Sequence, residues 1–165
     1  MVIIGFDYST KNISYSVLVD GKFLEWDNYE YEDIVQLSEY LEDLLFRVKP
    51  YFVAVEGLFL RTNPHVLIEL ANIQGIIKLM GQKFNECPPL EITPEQAKRA
   101  VGVDVYRKPY KGSKPKEKKQ MVVNTVNALF GVKCPNHDIA DAMAVAWTAW
   151  ELIASQKLYE KEIND

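Results

Sequence analysis

Cysteine and histidine are both scarce in this sequence. Only Cys87 and Cys134 occur, far apart and with no Cys-x-x-Cys spacing, which excludes a disulfide framework and a structural zinc site and suits a reducing cytoplasm. We read both cysteines as structural. No apolar run approaches the roughly 20 residues that a membrane-spanning helix needs. Residues Met1 to Lys11 lack a basic region followed by an apolar block, so neither a secretion signal nor a membrane partner is expected. No stretch is dominated by Pro, Ser, Gln or Gly, and there is no internal repeat or linker. With 48% apolar and 25% charged residues the composition is that of a folded chain. A length of 165 residues predicts one domain spanning 1–165.

An excess of positive charge is also missing, since the net charge is -4. Its distribution matters more than its total. Between Arg107 and Lys119 lie seven basic residues (Arg107, Lys108, Lys111, Lys114, Lys116, Lys118 and Lys119) against one acid, Glu117, a local balance of +6 that leaves -10 for the remainder. A basic segment on an acidic body offers one defined place to hold a polyanion.

The order of elements is legible from periodicity and turn residues. Val2 to Asp7 is a short apolar run ending in an acid. Ile13 to Val19 alternates, with Ser14 and Ser16 on one face, and reads as a strand with its other face buried. Asp20-Gly21 predicts a two-residue hairpin turn into a third strand, Lys22 to Tyr29. From Tyr31 to Lys49 the apolar spacing is helical, and Pro50 stops it. Phe52 to Glu56 is another apolar run ending in an acid, and the intervening helix implies a right-handed crossover that sets it parallel to the first strand. Pro64 to Phe84 is helical and apolar on more than one face, which calls for cover on two sides. Leu90 to Ile92 is a short strand, and Thr93-Pro94-Glu95-Gln96 has the form of a capping box opening a brief helix that Gly102 ends. Helices over Pro115 to Phe130 and His137 to Lys157 complete the chain, the last with Ile139, Met143, Ala146, Trp147 and Trp150 inward. The fold class is α/β, a mixed five-stranded sheet of three antiparallel strands then parallel strands, flanked by helices.

Four carboxylates stand out. Asp7 and Glu56 each end an apolar strand, and in parallel neighbours both emerge at the same carboxyl edge, the usual place for sites in α/β sheets. Asp138 and Asp141, three apart, share a helix face, and Ala142, Ala144 and Ala146 leave that helix free to lie close to the sheet. Oxygen ligands without a His/Cys cluster suit a hard cation such as Mg²⁺ or Mn²⁺. Each acid alone also has a plain structural reading: Asp7 capping the turn through Ser9 or Thr10, Glu56 as an exposed strand end, and the aspartate pair favoured by the helix dipole.

Three motifs together resemble the RuvC-type Holliday junction resolvases of the RNase H-like superfamily. They are Ile4-Gly5-Phe6-Asp7-Tyr8-Ser9, Val53-Ala54-Val55-Glu56 with Phe59 three residues on, and Asp138-Ile139-Ala140-Asp141-Ala142-Met143-Ala144. The element order matches along nearly the whole chain. The resemblance implies an RNase H-like nuclease domain in which Asp7, Glu56, Asp138 and Asp141 hold two Mg²⁺ ions, with Mn²⁺ able to substitute. It implies Phe59 as a wedge at the branch point, against a reading as core packing. It also implies Lys118 as a phosphate-facing catalytic lysine with Lys119 as the alternative, against a reading as a solvated helix end. His137, beside Asp138, is either a partner of the ligands or a cap neighbour. The segment Asp104 to Lys116 is longer and more basic than the family's usual connection; its basic residues, with Lys119, are expected to bind DNA, and Tyr106 and Tyr110 to hold backbone or stack on bases.

The expected activity is therefore endonucleolytic resolution of four-way DNA junctions by paired nicks, leaving 5′-phosphate and 3′-hydroxyl ends. It would be carried out by a homodimer whose interface is the apolar helix Pro64 to Phe84. Cytoplasmic location follows, in a host cell for a phage-encoded enzyme, to which the size and long basic loop lean. The rival readings are a broader flap nuclease or an RNA-processing nuclease, an actin-like nucleotide binder suggested by Gly5 to Lys11, and a junction-binding module with a relic site.

Overall fold

The computed structural model describes residues 1–58, 63–85 and 87–164, with side chains to residue 156. Strands β1 (Val2–Tyr8), β2 (Asn12–Val19) and β3 (Lys22–Glu30) form an antiparallel meander. Strand β4 (Phe52–Glu56) pairs in parallel with β1, and β5 (Leu90–Ile92) in parallel with β4, giving the order β3-β2-β1-β4-β5. The β2–β3 turn has φ of 48° at Asp20 and 80° at Gly21. Positive φ at both central positions is the primed geometry that matches strand twist, and the glycine adopts it at no steric cost.

Helices α1 (Ile34–Val48) and α2 (Pro64–Phe84) cover one face of the sheet. Leu37, Leu41, Ile73 and Ile77 pack there on Ile4, Phe6, Ile13 and Val55. The first helix starts later than the apolar spacing suggested. Asp33 caps it, its carboxylate accepting from the amides of Val35 and Gln36 at 2.9 Å each, and Tyr31 instead turns inward to donate its hydroxyl to the Ser9 carbonyl at 2.6 Å. The opposite face carries α3 (Pro94–Ala100), α4 (Pro115–Phe130) and α5 (His137–Asn164). Their core is Ile3, Leu18, Ala54, Ile92, Val126 and Met143 with the alanines of α5.

Three further expectations change. Strand β2 is not open on its serine face: Ser14 and Ser16 are both fully buried, because α5 lies over them and the Ser16 hydroxyl donates to the Ala142 carbonyl at 3.0 Å. Helix α2 is covered on one side only; Ile68 and Leu79 are 60% and 64% exposed, since the sheet and α1 occupy just one of its faces. Helix α5 continues to Asn164, past Lys157. Among the described residues no helix is long and apolar enough to cross a membrane.

The seat of α5 on the sheet is set by small residues. A Cβ placed on Gly5 would lie 2.6 Å from both the Ala142 carbonyl oxygen and the Ala146 nitrogen. These are backbone atoms and cannot swing aside. Replacing Gly5 with Ala should therefore push α5 off β1 and lower stability by about 1–3 kcal/mol, the usual scale of overpacking, read as a drop in the urea midpoint with the slope retained.

Candidate active site

Alternation along the strands puts Gly5 and Asp7 of β1, Ala54 and Glu56 of β4, and Ser14 and Ser16 of β2 on the face that α5 covers. The first turn of α5 then sits above the carboxyl ends of β1 and β4. That turn is fixed locally. The Asn136 side chain accepts from the Ile139 amide at 2.9 Å, the Cys134 thiol donates to the Asn136 carbonyl at 3.0 Å, and the Asn127 side chain of α4 accepts from the Cys134 amide at 2.7 Å. Asp138 and Asp141 are thereby delivered toward Asp7.

The resulting electrostatics are those of a crowded carboxylate site. Burial, then the negative charges of Glu56, Asp141 and Asp138, then a hydrogen bond with Glu56, hold the Asp7 carboxyl well above its ordinary value. Asp141 is raised as well, first by burial and also by Asp138, while the positive charges of Lys98, His137 and Lys119 oppose the rise. The other three acids thus all act on Asp7 across segments distant in the chain, although among the described residues no three His, Cys, Asp or Glu side chains are already grouped so as to hold a metal ion. The turn-capping reading of Asp7 is excluded: Ser9 and Asn12 hold that turn, the Ser9 hydroxyl donating to the Asn12 side chain at 3.0 Å and accepting from the Asn12 amide at 3.1 Å. Burial pushes the Cys134 thiol up, as for an unreactive structural cysteine.

The cations sort differently from the sequence expectation. Lys119 Nζ is 2.5 Å from His137 Nε2, which is itself 3.0 Å from Asp138 Oδ1. Lys118 instead lies over the Tyr110 ring, 5.1 Å from its centroid. Of the two lysines, Lys119 faces the acids. Lys98 on α3 was not singled out in the sequence, yet it is the strongest positive influence on Asp141. A single lysine on a seven-residue helix carries no pattern that marks it. Phe59 lies outside the described residues. The basic segment is exposed at Arg107, Lys108, Lys111, Lys114 and Lys116 and folds around a short 3₁₀ turn at Tyr110–Gly112. Arg107 pairs with Asp104 at 3.5 Å, and the Tyr106 hydroxyl donates to the Glu95 carboxylate, tying the segment to α3.

A five-stranded sheet in this order, with acids at the carboxyl ends of β1 and β4 beneath an acid-bearing terminal helix, is the RNase H-like fold as resolvases build it. The model of a family described as crossover junction endodeoxyribonuclease RuvC matches residues 4–149, and the chain belongs to that family. It is 30% identical to the RuvC of Campylobacter concisus over 162 residues, covering 90% of this chain and 95% of that relative. With the RuvC of Aliarcobacter butzleri it is 32% identical over 161 residues, covering 90% and 97%. Among solved structures it resembles Thermus thermophilus RuvC in complex with a Holliday junction substrate, at a TM-score of 0.72, 19% identity, and 90% and 92% coverage of the two chains. The fowlpox virus Holliday junction resolvase is also similar, at a TM-score of 0.60, 14% identity, and 93% and 99% coverage. These two structures speak for the fold.

Raised carboxyls set a sign for stability. A carboxyl held above its ordinary value favours the folded state while protonated, so its contribution is complete below about pH 3.8 and is lost as the pH climbs through the raised value. In the presence of a chelator, Asp7→Asn should melt several degrees above the unaltered chain at pH 7, and the gap should close below pH 4, as followed by thermal unfolding.

Proposed function

We propose that this chain is a metal-dependent endonuclease that resolves four-way DNA junctions, acting as a single RNase H-like domain in the cytoplasm. The observation that carries the reading is the convergence of Glu56, Asp138 and Asp141 on Asp7, all three within range of its charge, in a member of the RuvC family. The donor set fits hard divalent cations: all four groups are carboxylates, and their mutual repulsion is the condition that a bound cation would reverse. We assign these four residues as the ligands of two Mg²⁺ ions, with Mn²⁺ able to replace them. Bound there, the ions would supply an activated water and charge stabilisation at the leaving oxygen.

The chain's own residues do the rest. Lys98 and Lys119, on α3 and α4, act on Asp141 by their charge and offset charge that builds on a phosphate. The exposed Arg107, Lys108, Lys111, Lys114 and Lys116 hold the backbone of the junction arms, with Lys118 braced on Tyr110. Two nicks placed symmetrically require two sites, and the uncovered stripe of α2, which runs Ile68, Ala71, Gly75 and Leu79, supports an isologous dimer.

Incubation with an end-labelled synthetic junction in Mg²⁺ should yield paired, symmetric nicks with ligatable ends. Asp7→Asn should abolish the nicks and retain junction binding; persistent nicking by that variant overturns the site, and preferential cutting of flaps or structured RNA overturns the substrate. Leu79→Glu should convert a dimer to a monomer in sedimentation at micromolar concentration, while a monomeric unaltered chain removes the α2 interface.

A further inference from the structure

A polar row crosses the sheet beside the acids. Ladder pairing sets Ser14 of β2 directly opposite Asp7 of β1, and Asn28 of β3 directly opposite Ser14. All three therefore point to the face that α5 covers. Ser14 is fully buried, and its oxygen accepts a hydrogen bond from the Asn28 side-chain amide at 2.9 Å. Asn28 sits on the edge strand and is partly exposed. One step down the same face, Ser16 hands its proton to the Ala142 carbonyl, so this serine is already committed to holding α5. Ser14 is not.

A hydroxyl has one proton to give as well as lone pairs to receive. With the Asn28 amide on its acceptor side, the Ser14 proton is available to a partner other than Asn28. The side chain across the ladder there is Asp7, at the Cβ spacing of about 5 Å typical of directly opposed residues. In the structure Asp7 shares a hydrogen bond with Glu56. Ligating carboxylates are held by second hydrogen-bond partners that fix which oxygen faces the metal. We infer that Ser14 and Asn28 are positioning residues for Asp7: Asn28 orients the Ser14 hydroxyl, and Ser14 donates to one Asp7 oxygen while the other faces a divalent cation. The inference rests on the ligand assignment proposed above, and goes beyond it in naming what aims the ligand.

Asn28→Asp tests the direction of the chain. A carboxylate at position 28 offers only acceptors, so it draws the Ser14 proton away from Asp7. On this inference Mn²⁺ binding to the DNA-free full chain, measured by calorimetry, should weaken about tenfold, the lower end of the usual range for such partners. The Mg²⁺ concentration for half-maximal junction cleavage should rise by a similar factor. Ser14→Ala should weaken Mn²⁺ binding comparably, and Asn28→Ala less, because Ser14 keeps its proton to give. Junction affinity in chelator and the melting temperature should stay near those of the unaltered chain. A role as mere surface charge predicts the opposite sign, since an added carboxylate attracts the cation. Mn²⁺ affinity in Asn28→Asp equal to or above that of the unaltered chain overturns the inference. Should Asn28→Asp fail to fold, unchanged Mn²⁺ affinity in both Ser14→Ala and Asn28→Ala overturns it instead. If the unaltered chain cuts junctions and none of the three variants shifts its metal requirement, only this inference falls; if it leaves junctions intact but shows the Mn²⁺ ordering described, the substrate reading falls and this one stands.

Discussion

Everything in the site depends on how closely α5 can lie on β1 and β2. Carboxylates whose charges bear on one another, as those of Glu56, Asp138 and Asp141 do on Asp7, do not gather of their own accord. They are held by apolar packing paid for elsewhere, through the alanines of α5, the bare backbone of Gly5 and the Ser16–Ala142 hydrogen bond. Interiors at close-packed density transmit small displacements rather than absorbing them. A methyl group at the contact therefore reaches the acids one turn away.

Much of this was legible in the sequence where the cause is local. The acids at the ends of two apolar runs, the Asp20-Gly21 turn and the Thr93/Gln96 capping box each follow from a few adjacent residues. The capping box is complete, with Gln96 N donating to Thr93 Oγ1 at 3.2 Å and Thr93 N to Gln96 Oε1 at 2.9 Å. Ser14 and Ser16 misled because period-two alternation assigns polar residues to solvent, and only a distant helix reverses that. Lys98 was invisible for the same reason: its charge reaches Asp141 because α3 packs against α5, which no spacing within α3 encodes. Choosing Lys119 over Lys118 required the helical phase of α4 relative to His137. The one-sided cover of α2 reflects what lies beside it, which its own apolar pattern does not specify.

Charge is divided in the same way. Basic residues near the acids come from two sources, the exposed segment Arg107 to Lys116 and the pair Lys98 and Lys119, whose charges act on Asp141. The first group has long side chains in water and suits loose, salt-sensitive contact with a polyanion. The second acts on Asp141 directly, Lys98 from a partly buried position and Lys119 from an exposed one beside His137. Lys118, stacked on Tyr110, joins the two by bracing the start of α4.

Because the acids come from the first strand, the fourth and the final helix, no fragment short of the whole fold contains the proposed centre. A chain still emerging from the ribosome, or one whose last helix has come loose, carries the exposed basic segment but not the full set of acids. The architecture thus ties the assembly of the proposed centre to successful folding.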